Sequence, residues 1–174
     1  EILSMLPDDY YGFQNVTIKF EGRKSELDMV IVGKTGVFII ETKNHTGLIR
    51  GDYSEHDWLQ YKIGRNGTPY NSNFYNPVKQ VGTHIYRLAN FLRTKKINVH
   101  ITGIVYFSNE EATVHVSGSK DDMYVFSESD NGQKQMLSCI LNNNDNLNEK
   151  TIQRISQILN RDLIFLNKIT FLLI

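Results

Sequence analysis

The sequence predicts an α/β fold in which one mixed sheet is covered by helices on both faces. Three observations carry that expectation: three β-type runs between residues 11 and 43, a helix-periodic segment after Asn76, and the apolar run VHITGIVYF followed by two more helical runs. A meander followed by helix, strand and helix buries its apolar residues best as helices on a sheet. At 174 residues, 40% of them apolar, the chain is the size of one ordinary domain and is expected to be a single domain over 1–174.

The elements follow in order. EILSML reads as a helix end, closed by the turn Pro7-Asp8-Asp9, so the natural N-terminus is expected upstream of Glu1. YGFQNVTIKF reads as a strand stopped by the polar EGRKS. ELDMVIV and VFIIETK are two strands joined by Gly33-Lys34-Thr35-Gly36, a short hairpin connection. GLIRG and DWLQYKI are shorter β segments, and GRNGTPYNSNFYNP, rich in Gly and Asn, reads as a loop. A helix starts at Asn76-Pro77, where proline fits the first turn, and buries Val78, Val81, Ile85, Leu88 and Leu92 at helical spacing. VHITGIVYF and ATVHV are strands; residues 133–141 and 147–159 read as helices.

Composition narrows the function classes. Net charge is zero, so no whole-molecule field points to nucleic acid or membrane, and any basic surface must be local. The single cysteine, Cys139, lies in the apolar run MLSCIL and reads as a packed thiol in a reducing, cytoplasmic compartment. No membrane span is expected, because the apolar C-terminal LIFLNKITFLLI is short and is broken by Asn167 and Lys168. The sequons at Asn15, Asn44 and Asn66 read as chance in so Asn-rich a chain. The five histidines show no metal-ligand spacing that would suit zinc.

The stretch ELDMVIVGKTGVFIIETKN sets charge among two apolar strands. Side chains alternate faces, so Asp28 shares a face with Val30 and Val32, and Glu41 and Lys43 share one with Val37 and Ile39. A tight hairpin across Gly33–Gly36 makes partner numbers sum to 69, which sets Asp28 opposite Glu41 and Glu26 opposite Lys43. Opposed residues have Cβ atoms roughly 4.5 to 5.5 Å apart, and like charges so placed repel. Two partly buried carboxylates held this way suit a hard divalent cation, while Lys43 offers charge for a phosphate and its attacking water. The plainer reading is a rim salt bridge between Glu26 and Lys43, worth roughly 0.2 to 1 kcal/mol, but it leaves Asp28 facing Glu41 unexplained. GKT after VIV is no phosphate-binding loop: Asp28 stands where that loop needs glycine, and a strand follows rather than a helix.

The pattern E-L-D-x-V-I-V-G-x-x-G-V-F-I-I-E-T-K-N, with Gly47, Trp58 and the later N-P-x-x-Q of Asn76, Pro77 and Gln80, resembles the nuclease-related domain (NERD) family over residues 1–107. That family is placed in the PD-(D/E)XK superfamily, so the resemblance implies a restriction-endonuclease-like mixed sheet and Mg²⁺- or Mn²⁺-dependent hydrolysis of phosphodiester bonds in DNA. It also implies that Asp28 and Glu41 ligate the metal with the Thr42 carbonyl, that Lys43 orients water, and that Gln80 assists beside them. The family's N-terminal Gly-Glu has no counterpart here, and nothing after Phe107 matches a family motif.

Gln80, His84 and Arg87 form one polar row on their helix, at spacings of four and three. His84 and Arg87 either reach a phosphate or simply face solvent. Trp58 and Tyr61 either stack on bases or fill a core. Arg93, Lys95 and Lys96 close the helix, where the dipole alone explains cations. Two further classes stay open beside a DNA nuclease: a non-catalytic nucleic-acid-binding module on the same fold, and a protein-interaction domain that binds neither metal nor DNA.

Overall fold

The structure, a computed structural model, describes residues 2–64 and 66–171, with side chains described through residue 160. Five strands, β1 (Tyr11–Phe20), β2 (Arg23–Gly33), β3 (Gly36–Lys43), β7 (Ile101–Phe107) and β9 (Met123–Ser127), form the main sheet in that spatial order. The first three pair antiparallel, and β7 and β9 add in parallel. A second sheet takes the remaining strands in the order β6 (Pro69–Tyr75), β5 (Asp57–Ile63), β4 (Gly47–Asp52) and β8 (Ala112–Ser117).

Helices cover both faces of the main sheet, as its apolar residues on both faces require. On one face α1 (Pro77–Thr94) and α3 (Glu149–Phe171) share a core with Val30, Val32, Val37 and Ile39, and the second sheet inserts Ile49 and Trp58 into the same core. On the other face α2 (Gly132–Leu141) and a short 3-10 turn at Ile2–Met5 close over Ile31, Phe38, Ile40 and Ile104. This is the mixed α/β architecture expected of a restriction-endonuclease-like fold. Among the described residues, no helix is long and apolar enough to cross a membrane.

Two glycines let the layers close. A side chain at Gly103 on β7 would put its Cβ 2.6 Å from Val81 Cγ1, so the glycine lets α1 lie flat on the sheet. At Gly51 a Cβ would meet the Trp58 ring at 2.3 Å, so the indole takes the space a side chain would fill.

The elements differ from expectation in four places. In place of the helix end expected for the first segment, Ile2–Met5 form a 3-10 turn. The Asn-rich run contains β6, an edge strand that pairs with β5 over its whole length, from Asp57↔Tyr75 to Ile63↔Pro69. Asn and Ser have weak strand preference, and pairing to β5 overrides it. The strand β9 gave no separate signal, and the short β segments form a sheet of their own rather than extending the first.

Candidate functional site

The β2–β3 hairpin has the expected register, from Gly33↔Gly36 to Met29↔Ile40, each pair summing to 69. There the ladder stops, one pair short of Asp28 and Glu41. Beyond it β2 stays paired to β1 as far as Phe20↔Arg23, while β3 continues along β7 as far as Lys43↔Phe107. The strands part because each follows its other neighbour. Asp28 and Glu41 flank the opening, both on the face that carries Val30, Val32, Val37 and Ile39 into the α1 core.

Asp28 replaces the missing ladder bond with its side chain: Thr42 N–H donates to Asp28 Oδ2 at 2.9 Å. In a strand the N–H and C=O of one residue point to the same side, so the Thr42 carbonyl also faces the Asp28 side of the opening.

Glu41 is 4% exposed, and helix α1 supplies its roof. Lys43 Nζ donates to Glu41 Oε1 at 2.6 Å and to Gln80 Oε1 at 3.0 Å, and Gln80 Nε2 donates to Glu41 Oε1 at 2.7 Å. Glu41, Lys43 and Gln80 thus form a closed triangle. The α1 N-terminus fixes it in place. Asn76 is fully buried, accepts from Val78 N–H and Lys79 N–H, and donates to the carbonyls of Asp52, Tyr53 and Glu55 in the β4–β5 turn. The N-P-x-x-Q spacing then puts Gln80 one turn into the helix, above Glu41.

Burial pushes the Glu41 carboxyl above its ordinary value; Lys43 opposes the shift, Asp28 adds repulsion and Gln80 opposes it. A carboxyl whose folded pKa exceeds its unfolded one costs stability when ionised; the cost is full above the folded pKa and is relieved as pH falls through it. Asp28→Asn removes one of the raising causes, so the Glu41 midpoint is expected to fall in the metal-free variant. Carboxyl-detected NMR titration checks this. Equal midpoints in parent and variant would show that the two carboxylates do not sense each other.

The structure corrects several sequence expectations. Asp28 is exposed, so only one carboxylate of the pair is buried. Glu26 does not pair with Lys43; its partner is Lys24 at 2.5 Å. His84 does not face solvent: it is 8% exposed, its Nε2 stands 3.7 Å from Glu41 Oε2, and neither ring nitrogen has a hydrogen-bond partner among the described residues. Burial, then the Arg87 charge, lower its pKa. Arg87 donates to Lys24 O at 3.2 Å and to Ser25 Oγ, tying α1 to β2. Trp58 is fully buried, stacked on Phe107 at 6.3 Å and edge-on to Phe74, with its Nε1 donating to Asp52 O; no ring face is left for a base. Cys139 is half-buried, and burial pushes its thiol up to about 11, as suits a packed thiol.

Comparison with known proteins agrees with this geometry. The family model for NERD, the nuclease-related domain, matches residues 1–108, and the chain belongs to that family. An uncharacterised protein of Bacillus anthracis is 36% identical over 80 residues, which cover 45% of this chain. The matched stretch covers 35% of that relative's own length. No solved structure matches the chain. A nuclease-related function follows from the family.

The donor set suits a hard divalent cation. Glu41 Oε1 is held by Lys43 and Gln80, whereas among the described residues no hydrogen bond reaches Oε2; Asp28 spends Oδ2 on Thr42. Their mutual repulsion is a cost that a cation between them would remove. Among the described residues no set of three acidic, His or Cys side chains gathers for a metal, so a cation here would need carbonyl and water oxygens to complete its shell, as hard cations accept.

Proposed function

We propose that this domain hydrolyses phosphodiester bonds in DNA with Mg²⁺ or Mn²⁺ bound at Asp28, Glu41 and the Thr42 carbonyl. The observation that carries the reading is the parting of β2 and β3 between an exposed and a buried carboxylate, with Lys43 and Gln80 hydrogen-bonded to the buried one. A bound divalent ion would supply Lewis-acid charge to a phosphate oxygen and lower the pKa of a water.

The chain's own groups do the rest. Asp28 presents its carboxylate at the open side. Glu41, held by two donors, keeps one orientation. Lys43 holds positive charge where negative charge develops on the phosphorus oxygens, and it reaches the attacking water; Gln80 fixes the Lys43 ammonium and can donate to the same water. His84, buried beside Glu41 with its pKa lowered by burial, packs against the carboxylate from the helix rather than contacting a phosphate. A DNA substrate and the packed Cys139 thiol support a cytoplasmic location.

The test needs no substrate. A site with a dissociation constant of about 1 mM gains roughly 1.4 kcal/mol in about 10 mM Mg²⁺. For a domain of this size that is an upward shift of about 3 to 6 °C. Asp28→Asn keeps an acceptor for Thr42 N–H and removes repulsion, so without metal it is expected to melt at or above the parent temperature and to show no Mg²⁺ response. Should it melt well below the parent while Mg²⁺ shifts both alike, Asp28 is structural and the proposed metal site is lost.

A further inference from the structure

The proposed centre leaves a second set of groups unused. The link Asn44–Thr46 carries the chain from Lys43 to β4, the strand that pairs with β5. His45 lies on Phe74 of β6, ring centroids 4.4 Å apart, and Gln60 Nε2 donates to Thr46 O at 2.7 Å. The face of the hairpin that holds Trp58 and Phe74 in the core continues outward through Gln60 and Ser72 to the directly opposed pair Lys62↔Tyr70. The Lys62 stem passes close to Gly47, 3.3 Å from where a Cβ would stand. Burial lowers the His45 pKa, a hydrogen bond with Gln60 opposes the shift, and the Lys43 and Lys62 charges add to it. The row Lys43, His45, Lys62, Tyr70 is joined by the chain from Lys43 to His45, by the His45 ring on β6 and by the hairpin pair beyond it.

That row has the chemistry of a polyanion with flat faces. Gln60, Lys62, Tyr70 and Ser72 include no carboxylate, and among the described residues Lys62 has no ion-pair partner. The Tyr70 ring is 51% exposed on an edge strand that has no charged residue. Among the described residues, Tyr61, Ile63, Tyr70 and Tyr75 of this hairpin are exposed large apolar side chains; strand alternation sets Tyr70 on the Lys62 face and the other three on the opposite one. A cavity of about 680 Å³ surrounds its end, lined by Lys62 and Tyr70 with Tyr61, Ile63 and, from outside the hairpin, Glu111. A base inside a duplex has both faces covered by its neighbours, so an exposed ring beside a free cation selects unpaired nucleotides.

We propose that the β5–β6 hairpin is a track for single-stranded DNA, with an unpaired base stacked on Tyr70 and the backbone passing Lys62 toward Lys43. The proposal rests on the nuclease reading for its direction toward the carboxylates and names the substrate class of that site as unpaired DNA.

Fluorescence anisotropy of labelled oligo-dT, with a duplex of the same length as the second probe and without metal, tests it. Single strands are expected to bind at least tenfold more tightly than duplex. Tyr70→Ala is expected to weaken single-strand binding about fivefold or more, and Tyr70→Phe, which keeps the ring, to restore it. Lys62→Gln is expected to lower the slope of log affinity against log salt by about 0.7, the value for one lost phosphate contact on a single strand. Both side chains are partly or fully exposed, so the variants fold. Parent-like binding by Tyr70→Ala and Lys62→Gln, equal affinity for duplex, or no binding at all overturns the track. If the parent cleaves DNA yet these variants bind normally, the track falls and the nuclease stands; if single strands bind through Tyr70 but are never cut with Mg²⁺ or Mn²⁺, the nuclease reading falls and the track stands.

Discussion

Lys43→Ala is expected to reduce DNA cleavage on the order of 10²- to 10³-fold while leaving the Mg²⁺-induced rise in melting temperature in place. The ammonium donates to Glu41 and to Gln80 but is no metal ligand, so its loss removes charge stabilisation and water orientation without removing a metal oxygen. Asp28→Ala should differ in kind, losing both cleavage and the metal response. Plasmid nicking, run beside thermal melts with and without metal, separates the two. Cleavage by Lys43→Ala at the parent rate would show that the lysine is only the structural partner of Glu41. A parent that never cleaves with Mg²⁺ or Mn²⁺ would favour a binding module that keeps this fold, for which the neutral net charge already offers some support.

The other large effect concerns stability. Trp58→Ala is expected to cost about 3 to 5 kcal/mol, on the order of 10 °C in melting temperature. The indole fills the junction of the second sheet with β7, stacks on Phe107, covers Gly51 and donates to Asp52 O. The same Asp52 carbonyl accepts from Asn76, the cap of α1, so the loss should also loosen the seat of Gln80. Thermal melts of the metal-free protein measure it. A variant that melts within a degree or two of the parent but binds DNA poorly would return Trp58 to the nucleic-acid surface.

The two outcomes bear on how much of the site was legible in the chain. Asp28, Glu41 and Lys43 could be placed on one face because strand alternation and hairpin register are local rules, and the register proved to be the predicted one. Gln80 was legible as part of a helical row, yet the row could not be divided. Gln80 meets Glu41, His84 is enclosed beside it, and Arg87 is bound to β2, because α1 crosses the sheet with that face inward. Solvent was the expected surrounding for His84, and only the packing of α1 removed it. Asn76 was read as a helix start; its three carbonyl acceptors in the β4–β5 turn lie more than twenty residues away, and no spacing rule reaches them. The strand β6, with its Asn and Ser, had no signal of its own, so Tyr70 and Lys62 could not be paired from sequence.

By itself the sequence determined the α/β class, the central hairpin with its register, the capped helix α1 and the acidic pair with its lysine, since each depends on neighbours a few residues apart. Tertiary structure alone decided that β2 and β3 part at Met29↔Ile40, because β1 and β7 compete for them from opposite sides. It also decided that Glu41 is buried while Asp28 is exposed, that Trp58 is core, and that the short strands form a second sheet with Tyr70 exposed on its edge strand. The physical reason is one of range: register and capping are settled by bonds between near neighbours, whereas burial and the meeting of sheets depend on which distant surfaces exclude water together.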